Sequence, residues 1–284
     1  MDYREKTVHG NEGLPIAVYR IGPSHIRYRM NAHWHPEHEI LYVERGSLRL
    51  FLNNTPMELQ SGDVAFISGG TIHSAEPTDC LYHCITVNLP LMLRKSDACM
   101  PFADRIRSGA VRIRPYLGGT SVDFAAICRR ILDSEARQDE GYPFAVKGEI
   151  FTFFGAILSA HLYTDGTETG GNDASIGRMK RAMTYMEEHY AATVRLSDLA
   201  ALSDMTPNYF CHCFRVAVGL SPMEYLIRYR LTKAQYALRS TDRSITEIAL
   251  DCGFGDSGYF IRSFRARFGV TPKRYRAQAE TQSE

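Results

Sequence analysis

The stretch HWHPEHE, residues 33–39, contains the side chains best suited to metal or acid–base chemistry. His33 and His35 are two residues apart, so on a β-strand they would share one face, and Glu39 has the same parity if that strand continues. Imidazole and carboxylate groups together suit a divalent metal such as Zn, Fe, Mn or Ni. The same groups could also line a cavity for a small polar molecule. We expect His38, which has the opposite parity, to face solvent.

A second short motif, SGGTIH, ends at His73 and could supply a further ligand from a partner strand. Three histidines and one glutamate would form a metal site that still has open coordination positions. Further candidates for lining such a cavity are Tyr42, Arg49 and His83. The sequence contains no nucleophile elbow, phosphate-binding glycine loop or dinucleotide fingerprint. Metal-dependent catalysis is therefore the one enzymatic hypothesis left open.

Charge is distributed unevenly along the chain. From Ser175 to the end there are 16 Lys/Arg and 11 Asp/Glu residues, whereas the preceding 174 residues contain 17 and 21. A basic C-terminal third indicates an anionic partner for that end of the molecule. The N-terminus has no apolar signal segment, the most apolar run is too short to span a membrane, and the seven cysteines include no CxxC pair. We therefore expect a cytoplasmic protein without membrane association.

The periodicity of apolar residues predicts an α+β, multi-domain chain. Short alternating segments separated by turn signals predict an all-β sandwich or barrel, assigned to residues 1–100. Three-and-four spacing then predicts two flanking helices, and we assign residues 101–163 to a helical dimerisation segment. Residues 164–175 are rich in Gly, Thr and Asp, which is typical of an exposed linker. Residues 176–284 form the remaining, all-α domain.

The all-α domain contains an internal repeat, in which the segment 197–225 matches the segment 246–275. Each copy predicts a short helix, a tight turn and a second helix. The expected capping residues are Thr206 and Asp256 at the N-terminal ends of the second helices, and Gly219 and Gly269 at their C-terminal ends. This pattern is a helix-turn-helix motif, present twice.

Each second helix of the repeat presents polar side chains opposite its phenylalanines. The residues predicted to face inward are Phe210 and Phe214 in the first copy, and Phe260, Phe264 and Phe268 in the second. The residues predicted to face outward are Asn208, Cys211, His212 and Arg215, and then Ser257, Ile261, Arg262 and Arg265. Such a helix can lie in a major groove, and Arg262 is the best candidate for reading a guanine. A connecting helix over residues 222–238, about 25 Å long at ~1.5 Å per residue, would let both helices enter successive groove turns.

Residues from about 178 to 276 resemble the DNA-binding domain of the AraC/XylS family of bacterial transcription regulators. The motifs that carry the resemblance are LSDLA (196–200), SITEIALDCGFGDSGYFIRSFRARFG (244–269) and TPKRYR (271–276). The base-facing positions implied by the resemblance are Asn208, Cys211 and His212 in the first unit, and Ser257, Gly258, Ile261 and Arg262 in the second. Cys211 and His212 depart from the basic or Gln-rich pattern of these positions, so we expect the second unit to contribute more sequence specificity.

The HxHxxxE motif with Gly46, together with SGGTIH, resembles the two short motifs of the cupin fold, a small jelly-roll barrel. The chain departs from that pattern at Arg27, Ser68 and Pro77, where the cupin motifs have glycine, proline and asparagine. In sensor domains of the AraC/XylS type, a motif like HWHPE lines or supports the effector cavity. The resemblance therefore implies a cupin-type barrel that senses a small molecule.

These features predict a transcription regulator, by resemblance an activator, whose partners are double-stranded promoter DNA, a second copy of the chain and RNA polymerase. A small polar effector, by resemblance a sugar, would bind in the barrel and shift how the DNA-binding units are presented. The expected effector-binding residues are His33, His35, Glu39 and His73. Two alternatives use the same four residues as metal ligands: a metal-dependent cupin enzyme fused to a DNA-binding domain, and a metal-responsive regulator.

Overall fold

The computed structural model describes residues 13–93, 96–166 and 170–281. These residues form two compact units, one up to Asp173 and the other from Ala174 onward. The first unit is built on a six-stranded sheet with helices, and the second is all-helical. The predicted order, a β-rich domain followed by a helical domain with two helix-turn-helix motifs, is confirmed. Within the described ranges, no helix has both the length and the apolar character needed to cross a membrane.

Two long strands form the frame of the sheet in the first unit. The strands are β1 (Ile16–Ile21), β2 (Met30–His33), β3 (His38–Leu52), β4 (Thr55–Gln60), β5 (Val64–Ile67) and β6 (His73–Val87). Strand β6 pairs antiparallel with β1, β2 and β3, and β3 pairs with β4 and β5 as well. Because β3 and β6 pair from one end to the other, the start of each lies next to the end of its partner. Leu52 is therefore opposite His73, and His38 is opposite Val87.

Strand β3 begins with residues that are buried on both faces of the sheet. Ile40 and Tyr42 belong to a core cluster that also contains helix residues, whereas Leu41 and Val43 belong to a cluster whose buried members all come from strands. Since side chains alternate between the two faces of a strand, the second cluster fills the barrel interior and the first joins its outer face to the helices. Glu39 has the parity of Leu41, which places it in the interior row.

The helices that follow the barrel belong to the same compact unit. The elements are α1 (Leu89–Met92), α2 (Met100–Arg107), β7 (Val111–Ile113), α3 (Phe124–Arg137), α4 (Tyr142–Ser159) and β8 (Tyr163–Asp165). Helices α3 and α4 are the two predicted flanking helices. Phe153 and Ile150 of α4 share a core cluster with Ile40 of the barrel, so the predicted segment 101–163 is not a separate domain. The small β7–β8 sheet was not predicted.

The predicted linker at 164–175 is a second correction, because it carries regular structure at both ends. Thr164 and Asp165 belong to β8 and pair with Arg112 and Val111. Helix α5 begins at Gly170, while residues 167–169 lie outside the described residues. The boundary between the two units falls inside this segment, after Asp173.

The second unit consists of the repeated motif and the helices that support it. The helices are α5 (Gly170–Glu188), α6 (Leu196–Leu202), α7 (Pro207–Val218), α8 (Pro222–Ser240), α9 (Ile245–Asp251), α10 (Ser257–Phe268) and α11 (Pro272–Thr281). Helices α6 and α7 form the first helix-turn-helix, α9 and α10 form the second, and α8 connects them. At 19 residues, α8 is about 28 Å long at ~1.5 Å per residue.

The ends of the two recognition helices agree only in part with the sequence. Gly219 and Gly269 end α7 and α10 in the left-handed region, with φ of 80° and 79°, as predicted. The Asp256 carboxylate accepts a hydrogen bond of 2.6 Å from the Tyr259 N–H. Thr206 stands at the equivalent N-cap position, but its side chain makes no capping hydrogen bond, so the predicted cap is wrong there.

Candidate functional site

The four predicted barrel residues come from three strands and one loop. His33 ends β2, His73 begins β6, and the two residues are directly paired in the sheet. His35 lies in the loop between β2 and β3, and Glu39 is the second residue of β3. His35, Glu39 and His73 are each about 2% exposed, while His33 is half-buried. The structure therefore brings all four residues together in the barrel interior.

Two loops hold this cluster in place through close backbone contacts. The Gly70 N–H donates to the His35 carbonyl at 2.7 Å, which ties the SGGTIH loop to the HWHPEHE loop. A methyl group added at Gly69 would lie only 2.2 Å from the Pro36 carbonyl oxygen, so only glycine fits at this crossing. Both glycines lie where the two loops cross. Their role is to let the loop that precedes His73 approach the loop that carries His35.

The main chain fixes the orientation and the tautomer of the three imidazoles. Nδ1 of His33 lies 2.9 Å from the Asn31 carbonyl oxygen, Nδ1 of His35 lies 3.1 Å from that of Glu37, and Nδ1 of His73 lies 2.9 Å from that of Thr71. A carbonyl oxygen can only accept a hydrogen bond, so each Nδ1 carries the proton. In the neutral form of each ring, the lone pair is then on Nε2.

The other edges of the rings converge on Glu39. Ring centroids are separated by 4.2 Å for His33 and His73, 5.0 Å for His35 and His73, and 5.6 Å for His33 and His35. Oε2 of Glu39 lies 3.1 Å from Nε2 of His35 and 3.6 Å from Nε2 of His73. Oε1 of Glu39 and Nε2 of His73 are buried and make no hydrogen bond.

Burial and neighbouring charges set the protonation of this cluster. The pKa of His33 lies well below its usual value because the ring is buried, and the charges of His73 and His35 lower it further. Burial alone would raise the pKa of Glu39, but the adjacent imidazoles of His35 and His73 hold it well below its usual value. A neutral His33 and an ionised Glu39 can bind a cation or the hydroxyl groups of a polar ligand.

His38 does not face solvent, so that prediction is wrong. Its ring stacks on Phe66 at 5.4 Å between centroids, and its Nδ1 accepts a hydrogen bond of 2.9 Å from the Gly69 N–H. Burial lowers the pKa of His38 to about 4, so the ring is neutral at physiological pH. His38 supports the site from the side of the sheet that faces the helices.

The other proposed cavity residues do not join the cluster. Tyr42 is buried in the core cluster between the barrel and the helices. The exposed Arg49 pairs with Glu58 at 2.5 Å. Nε2 of His83 lies 2.6 Å from the Glu44 carboxylate, farther along β3. The candidate site in the barrel is therefore limited to the three histidines and Glu39.

In the helical unit, the repeat builds two equivalent recognition helices. Phe210 and Phe214 of α7, and Phe260 and Phe264 of α10, are fully buried as predicted, and Phe268 is half-buried. Phe214 packs edge-to-face on Tyr225, and Phe264 packs in the same way on Tyr275. Because the buried faces match, the two helices present equivalent outer faces.

The outer faces carry the residues that were predicted to contact DNA. The exposed members are Asn208, His212, Arg215, Ile261, Arg262 and Arg265, and the half-buried members are Cys211, Ser257 and Gly258. A methyl group added at Gly258 would lie 3.4 Å from Nη1 of Arg262 and 3.3 Å from Oδ1 of Asp256. The guanidinium of Arg262 therefore lies over the first turn of α10, beside the capping carboxylate.

Sequence reasoning missed one pair of exposed aromatic residues. Tyr209 and Tyr259 occupy the same place in the two repeats, and they are 57% and 43% exposed. Each precedes a buried phenylalanine, so the repeat itself was the signal that could have identified them. A tyrosine hydroxyl at the start of a recognition helix can donate to a DNA phosphate.

The connecting helix is fixed to the rest of the helical unit by polar contacts with the backbone. Arg230 of α8 donates to the carbonyl oxygens of Tyr190 and Ala192 at 2.7 and 2.8 Å. Nε2 of Gln235 donates to the Tyr275 hydroxyl at 2.7 Å. These contacts fix both halves of α8 within the helical unit. The two recognition helices therefore have a defined separation.

A cupin-like barrel followed by two helix-turn-helix motifs on one connecting helix defines a class of DNA-binding transcription regulator. Residues 15–99 match the AraC-like ligand binding domain family, and residues 199–278 match a helix-turn-helix domain family. The HTH-type transcriptional activator RhaS of Klebsiella pneumoniae (strain 342) is 30% identical over 267 residues, which is 91% of each chain. This chain belongs to the AraC family of transcription regulators.

Two further similarities extend over almost the whole chain. The uncharacterized HTH-type transcriptional regulator YdeC of Bacillus subtilis (strain 168) is 23% identical over 290 residues, which is 96% of this chain and 95% of its own. The structure of ToxT from Vibrio cholerae is similar with a TM-score of 0.50 at 14% identity, and covers 92% of this chain and 97% of ToxT. The ToxT similarity supports the fold.

Proposed function

We propose that this chain activates transcription by binding promoter DNA with α7 and α10 in successive major-groove turns. The observation that carries the proposal is the matched pair of recognition helices, in which buried phenylalanines orient polar outer faces on a common spacer. Successive turns of a major groove are about 34 Å apart, which is close to the ~28 Å length of α8. An activating role is supported by the RhaS relatives, which are named as activators.

Within this proposal, the second unit contributes most of the sequence specificity. Arg262 can form two hydrogen bonds to a guanine, and the exposed Ile261 can contact a thymine methyl group. In the first unit, Asn208 can pair with adenine, whereas Cys211 is half-buried and His212 departs from the basic or Gln-rich pattern of these positions. Ser257 and Gly258 also face the bases, whereas Arg215 and Arg265 position the helices against the DNA backbone.

A small polar effector controls DNA binding from the barrel. His33, His35, Glu39 and His73 form a buried polar group inside an otherwise apolar interior, which is the usual composition of a small-molecule site. A sugar is the effector class that we favour, by the resemblance to AraC-type sensor domains. The effector would act by binding two arrangements of the protein with unequal affinity. RNA polymerase would be the partner through which the bound protein activates transcription.

The test is selection of genomic fragments by the full-length protein, followed by footprinting on the enriched sequence. We expect protection of two segments about one helical turn apart for each protomer. Affinity for the enriched site should exceed that for random DNA by ~10³-fold or more at physiological salt. Equal affinity for both DNAs would contradict the proposal. Sugars can then be screened for those that change the affinity for this site.

A further inference from the structure

The cluster of three histidines and one glutamate has the features of a metal site and not only of a polar cavity. We propose that the barrel binds one divalent transition-metal ion through Nε2 of His33, His35 and His73 and the carboxylate of Glu39. The inference deepens the proposed function, and it rests on the barrel as the sensory site of that function. Its support is the geometry and chemistry of these four residues.

The first support is the orientation of the imidazoles by the backbone. In metal sites, a ligating histidine usually donates its other N–H to a carbonyl or carboxylate, which fixes the tautomer and directs the lone pair at the ion. All three histidines show this arrangement, with Nδ1 2.9–3.1 Å from a carbonyl oxygen of a residue two positions away. A cavity that only recognised hydroxyl groups would not require the same tautomer in three converging rings.

The second support is the span of the donor atoms. One ligand atom from each of the three histidines can be chosen so that all lie within 4.8 Å of one another. Three ligands with bonds of ~2.1 Å to one ion lie about 3.0–3.6 Å from one another, so each ring would move inward by up to about 1 Å to close the site. Three nitrogens and one carboxylate suit zinc, iron, manganese or nickel.

The third support is a pair of buried polar atoms in the cluster that make no hydrogen bond. The 3.1 Å contact pairs Nε2 of His35 with Oε2 of Glu39. It leaves Oε1 of Glu39 and Nε2 of His73, both buried, without a hydrogen bond. Leaving buried polar atoms without a hydrogen bond is destabilising, most of all for a charged group. A cation bound between them would satisfy both atoms at once.

The ion would link three strands at one end of the barrel. His33 is on β2, Glu39 is on β3 and His73 is on β6, and the loop with His35 closes the fourth side. Four protein ligands leave up to two coordination positions on an octahedral ion, and oxygen atoms of an effector could fill them. The metal would then connect effector binding to the positions of the strands.

The experiment uses full-length protein that has been stripped with a chelator and then titrated with Zn²⁺, Mn²⁺, Ni²⁺ and Co²⁺. Metal content is measured by mass spectrometry and affinity by calorimetry, and the visible spectrum of the Co²⁺ form reports its ligands. We expect one equivalent for each protomer. His33→Ala/His35→Ala and Glu39→Gln should each weaken binding by about 100-fold or more, because loss of outer-shell partners alone costs 10–100-fold.

Two control variants come from the same heptapeptide. Glu37→Gln removes a carboxylate that lies 3.7 Å from Nδ1 of His35, on the side of the ring away from Glu39. His38→Asn removes a buried histidine outside the cluster and keeps an oxygen that can accept from the Gly69 N–H. Both controls should bind metal within about tenfold of the wild type, at the low end of the 10–100-fold cost of losing an outer-shell partner, because neither side chain ligates the ion.

Metal binding and DNA binding are measured in separate experiments. The proposed metal site and the proposed DNA-binding function can therefore be rejected independently. Wild-type protein that binds none of the four ions, but still binds its DNA site, would overturn the metal site and leave the regulatory function intact. Binding that is unchanged in His33→Ala/His35→Ala would also overturn it, even if that variant is less stable. Because the titration of wild-type protein does not depend on any variant, misfolding of a variant leaves the test decisive.

Discussion

At the scale of single residues, Arg262 carries the most specific prediction about DNA. Its guanidinium lies over the first turn of α10, where a recognition helix enters the groove. We expect Arg262→Ala to weaken binding to the cognate site by ~1–3 kcal/mol and to relax the preference at one base pair. The measurement is fluorescence anisotropy on the cognate site and on all single substitutions of it. Unchanged affinity on the cognate site would rule out the assignment.

Arg265 has a different expected role, although it lies less than one turn further along α10. It is exposed in the last turn of the helix and is suited to a phosphate contact. Arg265→Ala should weaken binding to all sequences alike, and should reduce the slope of log affinity against log salt by about one. Titrations at four salt concentrations on cognate and random DNA test this. A loss confined to the cognate site would indicate that Arg262 and Arg265 have exchanged roles.

The sequence predicted that the four barrel residues would converge. The predicted cause, a shared face of one strand, was wrong. The parity argument assumed one strand through Glu39, whereas β2 ends at His33 and β3 starts at His38. The residues meet because His33 pairs with His73, and because Gly69 lets the loop between β5 and β6 approach Pro36. These are long-range contacts, which the local spacing of residues does not contain. The prediction for His38 failed for the same reason.

At the scale of elements, the two helix-turn-helix units differ in how their recognition helices begin. Asp256 accepts a hydrogen bond from the Tyr259 N–H, whereas Thr206 makes no equivalent bond. Removal of a functioning cap costs about 0.5–2 kcal/mol, so Asp256→Ala should lower the free energy of unfolding of the helical unit by about 1 kcal/mol. Thr206→Ala should change it by a few tenths at most. Urea denaturation of the two variants, followed by circular dichroism, gives the comparison, and equal losses would contradict it.

The helices of the repeat were predictable because each unit carries its own signals. Phenylalanines at one-turn spacing, glycines at the C-terminal ends and the Ser-Pro or Thr-Pro that follows are all local in sequence. The β7–β8 sheet was missed because each strand has only three residues, and their pairing joins Val111 to Asp165 across α3 and α4. The start of α5 was missed because glycines and polar residues favour a linker. The sequence therefore predicts the secondary structure of the helical repeat more completely than that of the segments around the barrel.

At the scale of the whole molecule, we expect α4 to contact a second copy of the chain. Phe144, Gly148, Phe151 and Gly155 follow one another at four- and three-residue spacing, and all four are exposed. Phe144 is 85% exposed, and a methyl group at either glycine would contact nothing within 4 Å. In an antiparallel pair of α4 helices, each phenylalanine would lie opposite a glycine of the other copy. The pattern is self-complementary, as a twofold interface requires.

The helix is also held firmly enough to act as an interface. Arg130 of α3 makes two hydrogen bonds, of 2.7 and 2.8 Å, to the Glu149 carboxylate of α4. Tyr142 at the start of α4 donates a hydrogen bond to Glu135 of α3. Val146, Ile150 and Phe153 anchor the opposite face of α4 in the core. The exposed Phe–Gly face is therefore presented by a rigid helical pair, which keeps the entropic cost of association low.

This arrangement predicts how the oligomeric state depends on single side chains. Phe144→Arg should raise the dimer dissociation constant by tenfold or more, because it removes a large apolar contact and places two like charges in one interface. Leu91→Arg is the matched control, since Leu91 is another large apolar residue, 60% exposed, on α1 instead of α4. Sedimentation equilibrium on both variants and the wild type gives the three constants. A weakened dimer in both variants, or in neither, would exclude α4 as the interface.

A dimer binds paired half-sites on DNA. Of the two variants, only Phe144→Arg should therefore lose affinity for DNA with two half-sites, while its affinity for DNA with one half-site should stay the same.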